Sequence, residues 1–309
     1  MQNVSLVRVS CRKEKEIMEA ISKATELIDF RLEQTPRSIV LKPNLCYYWD
    51  HSTGCTTDPV FIRSVIDWVR SEISAAADIT IAEADATAMR TRYAFKILGY
   101  EEIALEKGVR LLNLSTDRTR KITMNRSGKR FEFKLSQTLE KADFIINLPK
   151  LKRWAPTKIS CALKNIFGAN AFVNKVVYHN SLDEVIADIN TIIKPHLNMV
   201  DGIIAMPALD EPFRFGVIVA GLDPVAVDCV VARILGLDPR SIKHILLSAE
   251  KGAGRLDYSV VGESIKSISE LFPSEYRTSN LLHNLKSSVS KRFMGMLLKA
   301  YEGIVGQLE

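Results

Sequence analysis

Three apolar runs that end in charged or amide side chains decide the fold. They are Ser38-Ile39-Val40-Leu41-Lys42-Pro43-Asn44, Ile79-Thr80-Ile81-Ala82-Glu83-Ala84-Asp85 and Phe144-Ile145-Ile146-Asn147-Leu148-Pro149-Lys150-Leu151-Lys152. Their length and β-branched content are typical of buried strands. Helices are predicted at about 13–32, 59–71, 158–167, 182–193, 224–235 and 240–250. Because strands that alternate with helices indicate βαβ units, the sequence predicts an α/β fold with a mostly parallel sheet and helices on both faces.

The carboxyl ends of the three runs are predicted to form one site. In an open parallel sheet, polar residues that follow neighbouring strands gather at a single edge, where such folds bind ligands. We expect this edge to contain Lys42, Asn44, Glu83, Asp85, Lys150 and Lys152. A lysine there can bind a phosphate or carboxylate, or act as an acid, base or nucleophile once it is desolvated. The alternative interpretation is ordinary solvation of these lysines, with pairing to Glu83 or Asp85.

Glu83, Asp85 and Lys150 are the predicted catalytic residues, and Lys42, Asn44 and Lys152 are predicted to bind the ligand. A carboxylate beside an apolar strand end can have its pKa raised, which suits a general base. Glu83 and Asp85 could also hold a magnesium ion together with a substrate phosphate. The sequence assigns no metal ligands, and the cofactor stays open.

The composition excludes several classes of protein. The chain has 309 residues, of which 47% are hydrophobic and 25% charged, as in ordinary globular proteins. No apolar run reaches the roughly 18–20 residues of a membrane span, and no signal-peptide region follows the N-terminus. The five cysteines include no Cys-x-x-Cys pair, which argues against a zinc site, an iron–sulfur cluster and a disulfide framework. We therefore expect a cytoplasmic protein without a membrane span.

The net charge of +6 arises from one segment of the chain. Between Arg110 and Lys134, eight basic residues face only two acidic ones. Two alternating runs around Asn-Arg-Ser-Gly predict an inserted basic β-hairpin at about 116–136. Phe131 and Phe133 alternate with charged residues, so their rings should point inward. We interpret the hairpin as a solvated edge or lid, and an anionic partner is the alternative.

From residue 262 the chain becomes rich in serine and lysine, and helices are predicted at about 262–271 and 280–304. Leu281, Leu285, Val289 and Phe293 of the second helix fall on one face. Such a face indicates docking on the body or pairing of two subunits as a homo-oligomer. A basic helix on a membrane surface is the rarer alternative. The sequence thus predicts an α/β body, 1–261, and a helical C-terminal extension, 262–309.

Six short motifs occur in a fixed order between residues 38 and 262. They are Lys42-Pro43-Asn44, Thr56-Thr57-Asp58-Pro59, Asn147-Leu148-Pro149-Lys150-Leu151-Lys152, Ala162-Leu163-Lys164-Asn165-Ile166-Phe167-Gly168, Val200-Asp201-Gly202-Ile203 and Ala220-Gly221-Leu222-Asp223-Pro224-Val225-Ala226-Val227-Asp228. Together they resemble the family catalogued as domain of unknown function three hundred and sixty-two. The resemblance implies an α/β protein, often fused to ferredoxin-type iron–sulfur domains, and implies no single activity.

The matched motifs add Lys164, Asn165 and Asp228 as candidate ligand-binding residues. Lys164 and Asn165 are predicted in the last turn of a helix, where they can approach a bound anion or complement the helix end. Asp228 lies on an apolar helix and needs a partner, and we expect one of the lysines. Trp154 stands where family members usually have a histidine, and Pro207 where they often have a Glu-Gly pair. We assign no metal or acid–base role to those two positions.

These features predict an enzyme that acts on a small metabolite bearing a phosphate or carboxylate. The anion would be bound by Lys42, Lys150, Lys152 and Lys164, with Glu83 or Asp85 as the base. The alternative is a non-catalytic ligand-binding or redox-accessory protein that works with a separate iron–sulfur partner. The common nucleotide-binding and hydrolase motifs do not occur in the sequence. Substrate, reaction type and oligomeric state stay open.

We expect the basic hairpin to bind no nucleic acid. Its exposed face offers no aromatic side chain for base stacking if Phe131 and Phe133 point inward. In fluorescence anisotropy, neither duplex nor single-stranded DNA should bind tightly with a steep dependence on salt. Such binding, lost when Arg126, Lys129 and Arg130 are neutralised, would contradict the prediction.

Overall fold

The computed structural model describes residues 2–126, 129–208 and 211–272. The strands are β1 (Gln2–Arg8), β2 (Ser38–Pro43), β3 (Asp78–Glu83), β4 (Arg110–Asn113), β5 (Thr119–Arg126), β6 (Lys129–Ser136), β7 (Phe144–Leu148), β8 (Lys150–Trp154), β9 (Lys158–Ser160), β10 (Leu197–Ala208), β11 (Glu211–Gly221) and β12 (Tyr258–Gly262). The α-helices are α1 (Glu14–Leu27), α2 (Pro59–Trp68), α3 (Thr91–Ile97), α4 (Tyr100–Lys107), α5 (Gln137–Lys141), α6 (Ala162–Gly168), α7 (Leu182–Ile192), α8 (Pro224–Ile234), α9 (Lys243–Glu250) and α10 (Ile265–Ser269).

Ten of these strands form one sheet, whose main path has the order β12-β1-β11-β10-β7-β2-β3-β4. The five strands from β10 to β4 run parallel to one another, whereas β11 is antiparallel to both of its neighbours. β8 pairs with β10, and β9 pairs with β8. The predicted α/β fold with a mostly parallel sheet is confirmed.

Side chains alternate between the two faces of the sheet and enter two apolar cores. In β2, Ile39 and Leu41 pack on the face covered by α1 and α2. Val40, between them, packs on the opposite face with α6, α7 and α8. Helices therefore cover both faces, as the sequence predicts.

Two aspartates fix the starts of the helices that follow β2 and β11. Asp58 Oδ1 accepts a hydrogen bond from Val60 N at 2.9 Å at the start of α2. Asp223 Oδ1 accepts bonds from Val225 N at 2.8 Å and Ala226 N at 3.0 Å at the start of α8. A proline is the first residue of each helix, where its missing N–H costs nothing. The predicted positions of both helix starts are confirmed.

β5 and β6 form a separate two-stranded antiparallel sheet within the predicted hairpin range. Phe131 and Phe133 are buried against Tyr178, with ring centroids 5.8 and 5.5 Å from its centroid. The predicted inward orientation of the two rings is confirmed. Tyr178 follows closely after Lys175, so this aromatic packing holds the segment that contains Lys175 against the hairpin.

The segment 158–168 differs from the single helix predicted at 158–167. Lys158–Ser160 forms β9, because it pairs with β8 across the turn 155–157, after which Lys158 has a φ of 64°. α6 therefore begins at Ala162, and Lys164 lies in its first turn rather than in its last. The ammonium group of Lys164 cannot complement the negative end of this helix.

The end of the described chain adds an edge strand that the sequence did not indicate. β12 pairs in parallel with β1, and α10 follows it within the range 262–271 predicted as helical. The helix predicted at 280–304, and the subunit pairing assigned to it, lie outside the described residues. The division of the chain at residue 261 stays a prediction. Within residues 2–126, 129–208 and 211–272, no helix is long and apolar enough to cross a membrane.

Gly54 and Gly236 offer a matched pair of alanine substitutions. Both have left-handed backbone, with φ of 70° and 72°, so alanine costs each about 1–2 kcal/mol. A Cβ atom at Gly54 would also lie 2.8 Å from the backbone C and O atoms of Ala205, whereas at Gly236 nothing lies within 4 Å. We expect Gly54→Ala to lower the free energy of unfolding, measured by urea denaturation, clearly more than Gly236→Ala. Equal losses of unfolding free energy would show that the close approach of the Ala205 backbone does not require glycine at position 54.

Candidate active site

The carboxyl ends of β7, β2 and β3 lie side by side, because these strands are adjacent and parallel. At this edge the Nζ atom of Lys42 is 2.7 Å from Oε1 of Glu83, and both side chains are buried. Lys42 Nζ also donates a hydrogen bond to Pro43 O at 2.8 Å. Burial lowers the pKa of Lys42, and the charge of Glu83 opposes that shift.

Both oxygens of Glu83 are already used within the protein. Oε1 faces Lys42, and Oε2 accepts a bond from Leu45 N at 3.2 Å. Asp85 Oδ1 accepts a bond from Thr91 N at 2.8 Å. In the described ranges, no group of three or more His, Cys, Asp or Glu side chains is placed to hold a metal ion. The observed bonds favour an ion pair at Glu83 over the base or magnesium ligand considered from the sequence.

Three further lysines interact electrostatically with this ion pair or with one another, and together with Lys42 we call them the lysine cluster: Lys152 of β8, Lys164 of α6 and Lys175 between α6 and α7. Burial, reinforced by the nearby charge of Lys152, lowers the pKa of Lys164 to about 8. Burial also lowers the pKa of Lys175 to about 7, although the charge of Glu83 opposes this shift. The lysines are thus close enough to disfavour one another's charged forms.

The positive charge of the cluster is only partly balanced. Among the described residues, Lys152, Lys164 and Lys175 have no carboxylate oxygen within 4.0 Å, in contrast to Lys42. Lys152 Nζ donates to the carbonyl of Cys55 at 2.7 Å, and Lys175 Nζ donates to that of Gly168 at 2.9 Å. An ammonium group has three N–H donors. Lys152 and Lys175 therefore keep donors for a ligand.

Trp154, which departs from the family pattern, lies beside Lys164. The Nζ atom of Lys164 is 5.6 Å from the centroid of the indole ring, within the range of a cation–π interaction. Lys164 is half-buried, so the cluster reaches solvent at this side chain.

Three surface clefts of about 480, 290 and 470 Å³ are lined by residues outside the lysine cluster. The cluster thus lies beneath the surface rather than in one of these clefts.

Cys46 adds a negative charge to the cluster. It lies half-buried in the loop after β2. A hydrogen bond with Cys55, and then the charges of Lys152 and Lys164, lower the pKa of Cys46 to about 6. Cys46 is therefore mainly a thiolate at neutral pH. The sequence analysis missed this residue, although it stands two positions after the Lys-Pro-Asn motif; Lys175, also missed, has no local sequence signal.

Lys150 belongs to a second network of charges. The pairing of β8 with β10 places it opposite Asp201, and Lys150 Nζ is 2.7 Å from Asp201 Oδ2 with both side chains fully buried. The same oxygen accepts a bond from Asp58 N at 2.7 Å, and the Asp58 carboxylate pairs with Arg12 at 2.6 Å. These bonds favour a structural role for Lys150 over the catalytic role considered from the sequence. Asp201 was missed, although it lies in the Val-Asp-Gly motif.

Asp228 is buried as expected, but its observed partners are not lysines. Its Oδ1 accepts a bond from Ala162 N at 2.7 Å, and its Oδ2 accepts one from Leu163 N at 3.3 Å. Nε2 of His244 lies 3.9 Å from Oδ2. The expected pairing is wrong because the first amides of α6 lack partners within the helix and take the carboxylate instead. Burial raises the pKa of Asp228 to about 6, and the residue anchors the helix that contains Lys164.

The two predicted asparagines occupy different environments. Asn165 Nδ2 donates to Lys42 O at 3.1 Å and to Asn147 Oδ1 at 2.8 Å, which ties α6 to the central strands. Asn44 N donates to Thr57 Oγ1 at 2.8 Å. The side-chain oxygen of Asn44 is buried without a hydrogen-bond partner among the described residues. Asn44 therefore keeps an acceptor that a ligand could use.

The family of the chain follows from its central region. Residues 39–233, more than half of the chain, match the family model described as "Domain of unknown function (DUF362)". The chain belongs to this family. The resemblance drawn from the six motifs is confirmed, and the family description assigns no function.

Two further proteins are similar to this DUF362 member. "Thylakoid-associated protein sll1697" of Synechocystis sp. is 34% identical over 120 residues, which are 35% of this chain and 37% of that relative's length. The lactate racemase apoprotein from Thermoanaerobacterium thermosaccharolyticum superposes with a TM-score of 0.32 and 9% identity, covering 65% of this chain and 50% of that one. A structural similarity of this size supports no inference about activity. The cytoplasmic location expected from the sequence stays a prediction.

Lys175→Met removes a charge that folding buries. The folded-state pKa of Lys175 is about 7 against an ordinary 10.5, so folding releases a proton, and wild-type stability rises with pH between these values. Relative to Lys175→Met, the wild type should gain about 3 kcal/mol of unfolding free energy between about pH 6 and pH 9. Urea denaturation at the two pH values measures this gain. Lys15→Met, at an exposed lysine, is the control, and a difference for Lys175→Met that does not change with pH would contradict the prediction.

Proposed function

We propose that this protein binds a small metabolite through a phosphate or carboxylate group at the lysine cluster and acts on it as an enzyme. One observation supports this most directly: Lys152, Lys164 and Lys175 bring three ammonium groups together without a carboxylate partner among the described residues. Removing such charges from water costs stability. An anionic ligand would offset that cost, and groups with pKa values shifted in this way concentrate at functional sites.

The residues around the cluster suggest a role for each group. Lys152 and Lys175 would donate hydrogen bonds to the anion, and Lys164 would add its charge where the cluster reaches solvent. Lys175, with its pKa lowered to about 7, is suited to transfer a proton at neutral pH. Asn44 would accept a hydrogen bond from the ligand. The Lys42–Glu83 pair would fix the ends of β2 and β3 relative to each other.

Sulfate is a suitable probe of the anion site, because its charge stays constant near neutral pH. We expect its affinity to fall at least about tenfold between about pH 7 and pH 9, since each charged hydrogen bond that is lost costs about 1.5–3 kcal/mol. The reason is that Lys175 and Lys164 lose their protons over this range, with pKa values of about 7 and about 8. Isothermal titration calorimetry at constant ionic strength measures the affinity.

Substitutions test whether the lysine cluster is the binding site. Lys152→Met and Lys175→Met should each weaken sulfate binding. Lys15→Met, at an exposed lysine that is not part of the cluster, should not. Binding that is independent of pH, or that is unchanged in both cluster variants, would refute the proposed site.

A separate experiment distinguishes catalysis from binding alone. Anions that co-purify with the full chain can be identified by mass spectrometry and then supplied as substrates. Lys175→Arg keeps the positive charge but cannot release a proton near neutral pH. An enzyme should lose turnover in this variant and keep its affinity. If the wild-type protein binds the compound and leaves it unchanged, the non-catalytic alternative is favoured instead.

A further inference from the structure

Two side-chain oxygen atoms near the end of β2 are buried without a hydrogen-bond partner among the described residues. They are Asn44 Oδ1 and Asn165 Oδ1. Asn165 is only 4% exposed and directly follows Lys164 in α6. Its Nδ2 atom donates to Lys42 O at 3.1 Å, and Asn44 lies two positions after Lys42 in the chain. Both asparagines are therefore placed beside residues of the lysine cluster.

A chain of side-chain amides fixes the orientation of Asn165. Asn198 Nδ2 donates to the carbonyl oxygens of Gly221 and Leu222, both at 3.2 Å. Asn147 Nδ2 donates to Asn198 Oδ1 at 2.8 Å, and Asn165 Nδ2 donates to Asn147 Oδ1 at 2.8 Å. Because the amide groups all point the same way, turning the Asn165 amide over would place oxygen against oxygen. Asn165 Oδ1 is thus the acceptor that this chain leaves unused among the described residues.

The ligand of the lysine cluster can supply the missing donors. A buried acceptor without a donor destabilises a protein, so the two oxygens favour a ligand that donates hydrogen bonds. We propose that this ligand is an anion that also carries hydroxyl groups, and that Asn44 and Asn165 accept hydrogen bonds from those hydroxyls. A polyol phosphate and a hydroxylated carboxylate share this chemistry. The inference rests on the proposed anion site, since it concerns another part of the same ligand.

The charges of the cluster decide which kind of donor fits. An ammonium group on the ligand could also donate to an amide oxygen. It would, however, lie beside lysines whose positive charge is only partly balanced, and like charges repel each other. A hydroxyl group is neutral, and it can donate to an amide oxygen while it accepts a bond from a lysine. The site therefore favours hydroxylated anions over amino acids and other amines.

Asn190 of α7 provides a matched control for the two asparagines. Its Oδ1 atom is also buried without a partner among the described residues. Its Nδ2 atom donates to Leu163 O at 2.9 Å and to Ile186 O at 2.8 Å, and neither acceptor belongs to the lysine cluster. An unused amide oxygen alone thus does not define the site, and its position beside the lysines has to be tested.

Matched pairs of ligands test the proposal on the wild-type protein. Isothermal titration calorimetry with the full chain near pH 7 compares glycerol phosphate with propyl phosphate, and glycerate with propanoate. The members of each pair have the same charged group and carbon chain, and they differ by two hydroxyl groups. We expect the hydroxylated member to bind at least about tenfold more tightly in at least one pair. The pair with the larger difference tells a phosphate from a carboxylate ligand.

Substitutions test whether the two asparagines contact the hydroxyl groups. Asn44→Leu and Asn165→Leu keep the approximate size of the side chain and remove the acceptor. Each should reduce the preference for the hydroxylated ligand several-fold, whereas Asn190→Leu should leave the preference unchanged. The preference is a ratio of two affinities in the same variant, so a general loss of binding does not alter it.

The possible results separate this inference from the proposed function. Equal affinities within both pairs, with binding that still depends on Lys152 and Lys175, would overturn the inference and leave the anion site in place. A preference that is unchanged in both Asn44→Leu and Asn165→Leu would also overturn it, as would tighter binding of aminopropyl phosphate than of glycerol phosphate. Failure of sulfate and of all these anions to bind would overturn both proposals.

Discussion

The buried ion pair between Lys42 and Glu83 joins the carboxyl ends of β2 and β3, and the neighbouring segments are placed against it. Removing two charges from water costs several kcal/mol per ion, which attraction offsets only when the geometry is good and the remaining polar atoms are bonded. Here the charged atoms are 2.7 Å apart, and the second carboxylate oxygen accepts a bond from Leu45 N. A Cβ atom at Gly168 would lie 3.4 Å from Lys42 Nζ. The pair therefore meets both the loop after β2 and the end of α6.

The same burial that strengthens this pair makes the other lysines of the cluster costly. Lys152 and Lys175 donate hydrogen bonds to backbone carbonyls rather than to carboxylates among the described residues, and the lowered pKa of Lys175 shows that its charged form is disfavoured. The surroundings nevertheless hold Lys164 and Lys175 firmly, because Asp228 anchors α6 and the hairpin packs on Tyr178. Charges that are held firmly although they lower stability are typical of a functional site, because such sites keep the groups that the function needs.

The sequence predicted the parts of the site that depend on local pattern. Lys42 follows a buried strand directly, and parallel neighbours bring strand ends together, so its place at the edge could be predicted. Lys150 could not be placed correctly, because its partner is set by the register of β8 on β10. The partner of Asp228 was mistaken because the sequence does not show that α6 begins only at Ala162. Cys46 lies in a loop and Lys175 begins a short 3₁₀ helix, and in neither place does a periodicity indicate which way the side chain points.

The proposed anion site and the Cys46 thiolate share the charges of Lys152 and Lys164, so each must affect the other. The thiolate offsets part of the cluster's positive charge and competes with a bound anion. Protonation of Cys46 removes that negative charge, so this competition must vanish below the Cys46 pKa of about 6. By thermodynamic reciprocity, a bound anion would raise the pKa of Cys46 to the same extent.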